Sequence, residues 1–213
     1  MKRSFILIIF LLLGPQLVKA QLFKYGIQAG PHYSHYGISE KGSFIEASRG
    51  SIGFHSGFFI RKDFESFFIG ADLTYSSYLG GTAEDGYSSF KLETGSVNMP
   101  MIFGKYFYPG IRIFGGGMPA FFIKHNDGEF ESFLAASPAT QSSVNGFLHR
   151  NDFIFHIVAG ASMEIRKFYI ELRYEHPLDY FIREDYSTGG TTTNIDNRHY
   201  IYQFVISLGY WFN

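Results

Sequence analysis

Over residues 199–212 the chain alternates. Tyr200, Tyr202, Phe204, Ile206, Leu208, Tyr210 and Phe212 share one parity, and His199, Ile201, Gln203, Val205, Ser207, Gly209 and Trp211 share the other. A period of two belongs to a strand whose two faces meet different surroundings. The same alternation predicts seven earlier strands, over 23–35, 52–61, 66–78, 97–107, 110–124, 152–165 and 167–175, with the eighth over 198–213. In each, one parity is apolar or aromatic, while the other carries glycine, hydroxyls, histidine and charge, including Asp72, Arg112, Glu171 and Arg173. The fourth strand is the least regular, because Ile102 and Lys105 break the rule; the glycine run and Pro119 of the fifth predict a bulge or bend.

The connections run long, short, long, short, long, short, long. "KDFE", "YPG" and "EIRK" are tight, whereas 125–151 and 177–197 are long. Long loops at one end and tight turns at the other are the signature of an up-and-down meander, and in outer-membrane barrels the turns are periplasmic and the loops extracellular. Unpaired backbone groups at a sheet edge cannot be satisfied in hydrocarbon, so such a sheet must close. The fold class is therefore all-β: an eight-stranded antiparallel up-and-down transmembrane β-barrel. At this size side chains fill the interior, which does not conduct freely.

The start of the chain fits that place. Lys2 and Arg3 precede the apolar run "FILIIFLLLG", which is too short to cross about 30 Å of hydrocarbon as a helix. Residues 1–20 are read as a signal peptide cleaved before Gln21, leaving 21–213 as one outer-membrane barrel domain. Cleavage removes three cations and moves the formal charge from −1 to −4, so no basic surface suits nucleic acid. Charged residues are 17% of the chain, below the roughly 25% usual in soluble domains, and aromatic residues are 19%, as expected of a wall facing lipid. Cysteine is absent, which excludes disulfides, thiolate metal sites and a cysteine nucleophile.

A soluble lipocalin-like binding barrel would alternate in the opposite sense, with its apolar face inward and Asp72, Arg112, Glu171 and Arg173 in water. In the membrane reading those four line the lumen and must pair. Tyr33, Tyr75, Tyr174, Tyr200 and Trp211, at strand ends, suit interfacial girdles.

Candidate chemistry is sparse. A lipid-modifying enzyme would need a serine, a histidine and an acid on the lipid-facing surface, and outward parity offers Ser56 and His176, on non-adjacent strands. The histidines His32, His55, His156 and His199 have inward parity near the loop end, where they can meet a metal or, more commonly, pair with interior carboxylates. No cofactor is called for. The loop stretch containing Phe130, Phe133, Leu134, Phe147 and Leu148 is unusually apolar for exposed sequence, which marks it as a lid over the barrel mouth or a docking surface for a partner protein.

"YGIQAGPHYSHYG", "SVNMPMIFGKYFYPGIRIFGGGMPAFFI" and "FYIELRYEHPLDYF" followed by "YQFVISLGYWFN" resemble the PorT-like outer-membrane β-barrel family of Bacteroidetes over essentially the whole mature length. The resemblance implies an outer-membrane location and insertion by the barrel-assembly machinery, which reads a C-terminal aromatic strand; here that would be Tyr202, Phe204, Tyr210, Trp211 and Phe212, with Asn213 as a departure. The family's namesake is associated with type IX secretion and most relatives have no assigned role. The expectation is therefore a non-enzymatic barrel, in contact with outer-membrane lipid and other envelope proteins, acting as a structural, accessory or binding component of an envelope complex.

Overall fold

The computed structural model describes residues 23–39, 50–84, 89–125, 144–188 and 194–212. They form β1 (Phe23–Ser39), β2 (Ser51–Asp63), β3 (Phe67–Glu84), β4 (Ser89–Asn98), β5 (Met101–Tyr108), β6 (Ile111–His125), β7 (Val144–Arg150), β8 (Phe153–Ile165), β9 (Phe168–Pro177), β10 (Ile182–Thr188) and β11 (Asn194–Trp211). All pairings are antiparallel. The wall closes where β1 meets β11, with Gly26 opposite Trp211 at one end and Ser39 opposite Arg198 at the other.

These elements make eight wall strands, because three wall strands are each interrupted once. β4 and β5 both pair with β3 and β6. Pro100, which has no N–H, interrupts them, but the Asp72 N–H donates to the Pro100 carbonyl (2.9 Å) and the Met99 N–H to the Pro119 carbonyl (3.0 Å), so the ladder passes through the break. Likewise β7 continues into β8 and β9 into β10, since β7 pairs with β10 and β8 with β9.

Two loop assignments are thereby corrected. Val144–Arg150 and Ile182–Thr188 extend the wall, so Phe147 and Leu148 lie on β7, opposite Asp185 and Glu184. Alternation failed to show this because the strands restart after bulges: the Leu178 N–H reaches the Phe155 carbonyl (2.8 Å) and the Asn151 N–H the Phe181 carbonyl (2.9 Å). The extra residues turn Phe181 inward, against Phe122 at 4.7 Å. Phe130, Phe133 and Leu134 lie outside the described residues, as does the leader.

Along β2 the burial alternates strictly from Ser51 to Ser56, and on the outward parity Phe58 is 65% and Ile206 48% exposed. The lumen, expected to be polar, is only partly so. Among the described residues, apolar clusters fill the rest: Tyr78, Ala120, Phe122, Ile154, Phe181 and Ile201; Phe68, Ile102, Phe114, Met118 and Val158; and Phe59, Tyr169 and Trp211. Ile102 broke the sequence rule because it belongs to this filling, whereas Lys105 faces outward near the turn end, where the wall leaves hydrocarbon. Trp211 is a further correction: it is 2% exposed and packs edge-on against Phe59 at 4.6 Å, inside the lumen and not in a girdle. Gly209 makes room there, since a Cβ at this position would strike the Tyr169 ring.

Ile206 stands midway along β11 between the outward Tyr202 and Tyr210. Ile206→Arg should destabilise the barrel by about 2–4 kcal/mol in a denaturant titration in lipid vesicles, because it places a charge at mid-membrane depth. A loss below about 0.5 kcal/mol would show that this face does not meet hydrocarbon.

Candidate functional site

The lumen holds two layers of paired charge. In the central layer Arg61 from β2 is ion-paired with Asp72 from β3 and lies 4.0 Å from Glu171 on β9. Arg173, also on β9, binds Glu171 at 2.8 Å through Nη1 and Glu175 at 2.8 Å through Nε, and reaches Asp72 at 3.4 Å. Gln28 donates from Nε2 to the second Asp72 oxygen at 3.0 Å, and its Oε1 accepts from the Tyr169 hydroxyl. The side chains of Arg61, Asp72, Glu171, Arg173 and Glu175 are essentially inaccessible.

Topology gives the Arg173–Asp72 contact its meaning. Around the closed wall β9 and β3 are separated by β11, β1 and β2. Four steps in a ring of eight put them diametrically opposite, so this pair crosses the full width of the lumen. Other contacts brace shorter chords, from Tyr169 on β9 to Gln28 on β1 and from Gln203 Nε2 on β11 to the Tyr78 hydroxyl on β3 at 2.7 Å.

The second layer lies at the turn end. Lys24 Nζ bridges Asp63 (3.0 Å) and Glu164 (2.8 Å), and Arg112 pairs with Glu164 and approaches Asp63 at 3.7 Å. The Arg112 guanidinium sits 5.1 Å from the Phe68 and Tyr106 ring centroids and 5.6 Å from that of Trp211. Carboxylates hold this charge on one side and ring faces on the other.

Of the residues singled out from sequence, Asp72, Glu171 and Arg173 come together, while Arg112 belongs to the lower layer. His32 and His55 are neighbours, with ring centroids 6.3 Å apart, but His55 Nε2 meets the Ser207 hydroxyl at 2.9 Å and not a carboxylate. His156 is buried on β8, opposite Met118. His199 pairs with Ile38 and Ile182, and its side chain lies outside the described residues. Among the described residues no group of three potential ligands is placed to hold a metal ion. Arg61, Glu175, Lys24, Asp63 and Glu164 were missed as network members; their parity was visible, but their partners depend on register across the lumen.

Ser56 and His176 face outward on β2 and β9, with β1 and β11 between them. His176 belongs instead to an aromatic patch, 5.3 Å from the Tyr202 ring and hydrogen-bonded to the Tyr174 hydroxyl at 3.3 Å.

Residues 19–183 match the model of the family described as "Outer membrane protein beta-barrel domain". The chain belongs to this family. The outer-membrane barrel family accounts for the location and the closed sheet. Among curated proteins none matches the chain. The fold is similar to that of OprG from Pseudomonas aeruginosa (8% identity, 89% of this chain and 96% of that one, TM-score 0.47). It is also similar to Ail from Yersinia pestis, whose crystal structure contains the heparin analogue sucrose octasulfate (15% identity, 89% and 99%, TM-score 0.43). A third similar structure is the toluene transporter TodX of Pseudomonas putida (10% identity, 91% and 59%, TM-score 0.38).

Arg173→Ala leaves Glu175 without its cationic partner and Asp72 and Glu171 sharing Arg61, and should cost about 3–5 kcal/mol of folding stability. Lys24→Ala, at the partly exposed end, should cost about 1 kcal/mol or less. Equal losses in parallel denaturant titrations would contradict the division into a sealed central layer and a solvated lower one.

Proposed function

We propose that this outer-membrane barrel is a closed, non-enzymatic scaffold that serves as a structural, accessory or binding component of an envelope complex. The observation that carries the reading is the Arg173–Asp72 bridge across the whole lumen: a barrel braced in this way presents its loops and outer wall, not a passage, to other molecules. The separation of Ser56 from His176 supports the non-enzymatic half of the reading, since a lipid hydrolase or acyltransferase needs nucleophile and base within hydrogen-bond reach.

In this reading residues 1–20 are removed on export, the termini and the turns Phe64–Ser66, Pro109–Gly110 and Arg166–Lys167 face the periplasm, and the long connections face outward. The barrel-assembly machinery engages β11 during insertion through Tyr202, Phe204, Tyr210, Trp211 and Phe212. The apolar connection containing Phe130, Phe133 and Leu134 supplies contact with another envelope protein, and the PorT-like resemblance makes a secretion assembly the first place to look.

Purification of the native protein from outer membranes in mild detergent should bring a defined envelope protein with it, and replacing Phe130, Phe133 and Leu134 by serine should release that partner. A barrel that remains alone across several mild detergents would contradict the complex. Protease added to intact cells should cut between residues 126 and 143 and spare a C-terminal tag; the reverse pattern would overturn the orientation.

A further inference from the structure

The outer wall is not uniformly convex. A groove of about 690 Å³ crosses it from Phe168 on β9 over β11, β1 and β2 to β3 and β4. Its floor is the backbone at Gly57 and the outward Ala29 and Ser56, where small side chains stand between the bulkier Ile27, Phe58, Leu73 and Leu208. Ala29 is directly opposite Ser56 in the ladder, so the depression is continuous across two strands. Phe168 and Tyr210, with rings 5.2 Å apart, form one end.

That end adjoins the β8–β9 turn, whose two residues are Arg166 and Lys167, both exposed. Arg166 is held in the left-handed region at φ 57°, and the Lys167 carbonyl accepts from the Trp211 N–H at 2.8 Å, so the backbone fixes the cationic turn against the wall. Neighbouring charge acts in the same sense. Among the described residues on the outside of the turn end, Lys62, Lys105, Arg166 and Lys167 outnumber the one exposed carboxylate, Glu65. An anionic headgroup is therefore attracted to the turn end.

We propose that the groove is a binding site for a phospholipid with an anionic headgroup, one acyl chain lying over Ala29, Ser56 and Gly57 and the phosphate held by Arg166 and Lys167. The shape supplies the chain contact, because dispersion is lost wherever a chain cannot follow the wall. The charges supply the headgroup preference, worth about fivefold in affinity for each basic residue near the membrane surface. The inference needs only that the barrel spans a membrane, so it stands or falls independently of any partner protein.

The test is lipid retention by the folded full-length barrel, released from nanodiscs of equal phosphatidylglycerol and phosphatidylcholine and weighed intact by mass spectrometry. The wild type should retain phosphatidylglycerol several-fold over phosphatidylcholine. Arg166→Gln with Lys167→Gln should abolish that preference, and Ala29→Leu with Ser56→Leu, which fills the groove on the lipid-facing side, should abolish retention of either lipid. Lys105→Gln, on β5 away from this turn, should change both far less than these variants do. No preference in the wild type, undiminished binding in the groove-filled variant, or a loss with Lys105→Gln as large as with the turn pair would each overturn the site.

Discussion

Inside hydrocarbon a peptide N–H or carbonyl has no water to turn to, and each one left unpaired costs several kcal/mol. The rest of this structure depends on that constraint. It requires β1 to find β11, it keeps the ladder continuous past Pro100, and at the second irregular place it draws Leu178 and Asn151 into hydrogen bonds that replace the regular ones. Closing the sheet with eight wall strands then fixes a narrow interior, which side chains can fill.

Filling is done by two chemistries that divide the lumen. Phe68, Ile102, Phe114, Met118 and Val158 occupy one side as a small apolar core. Charges occupy the other, and they are tolerated because almost every one has a partner at hydrogen-bond distance. Burying charge is costly, and an ion pair recovers that cost only with good geometry and supporting donors. Gln28 is such support, donating to the Asp72 oxygen that Arg173 also reaches, and Tyr169 in turn donates to Gln28. The network is better understood as a device for fixing one arrangement of opposite walls than as a source of net stability.

The outward half of the fold was legible because lipid asks only one thing of a side chain. Tyr200 through Phe212 can be assigned by parity alone. The inward half was less so, for a physical reason: a narrow lumen asks for volume as well as polarity, so Phe59, Phe68, Phe114 and Trp211 share a parity with Arg61, Asp72 and Glu171. Trp211 was misread as a girdle residue because position along the strand was given more weight than face. Strand continuations β7 and β10 were hidden because a bulge resets the period, and a loop and an interrupted strand then look alike. Pairing across the lumen, which joins Arg173 to Asp72 over 101 residues of sequence, is set by register and cannot be read from either strand separately.

A barrel whose opposite walls are tied across the lumen is closed at rest, and ion conductance of the wild-type protein in planar lipid bilayers reads that state. Tied walls allow no sustained current at low voltage, and steady channel openings should appear in a variant that lacks both Arg173 and Arg112. Steady open-channel current from the wild type would mean that the walls are not tied.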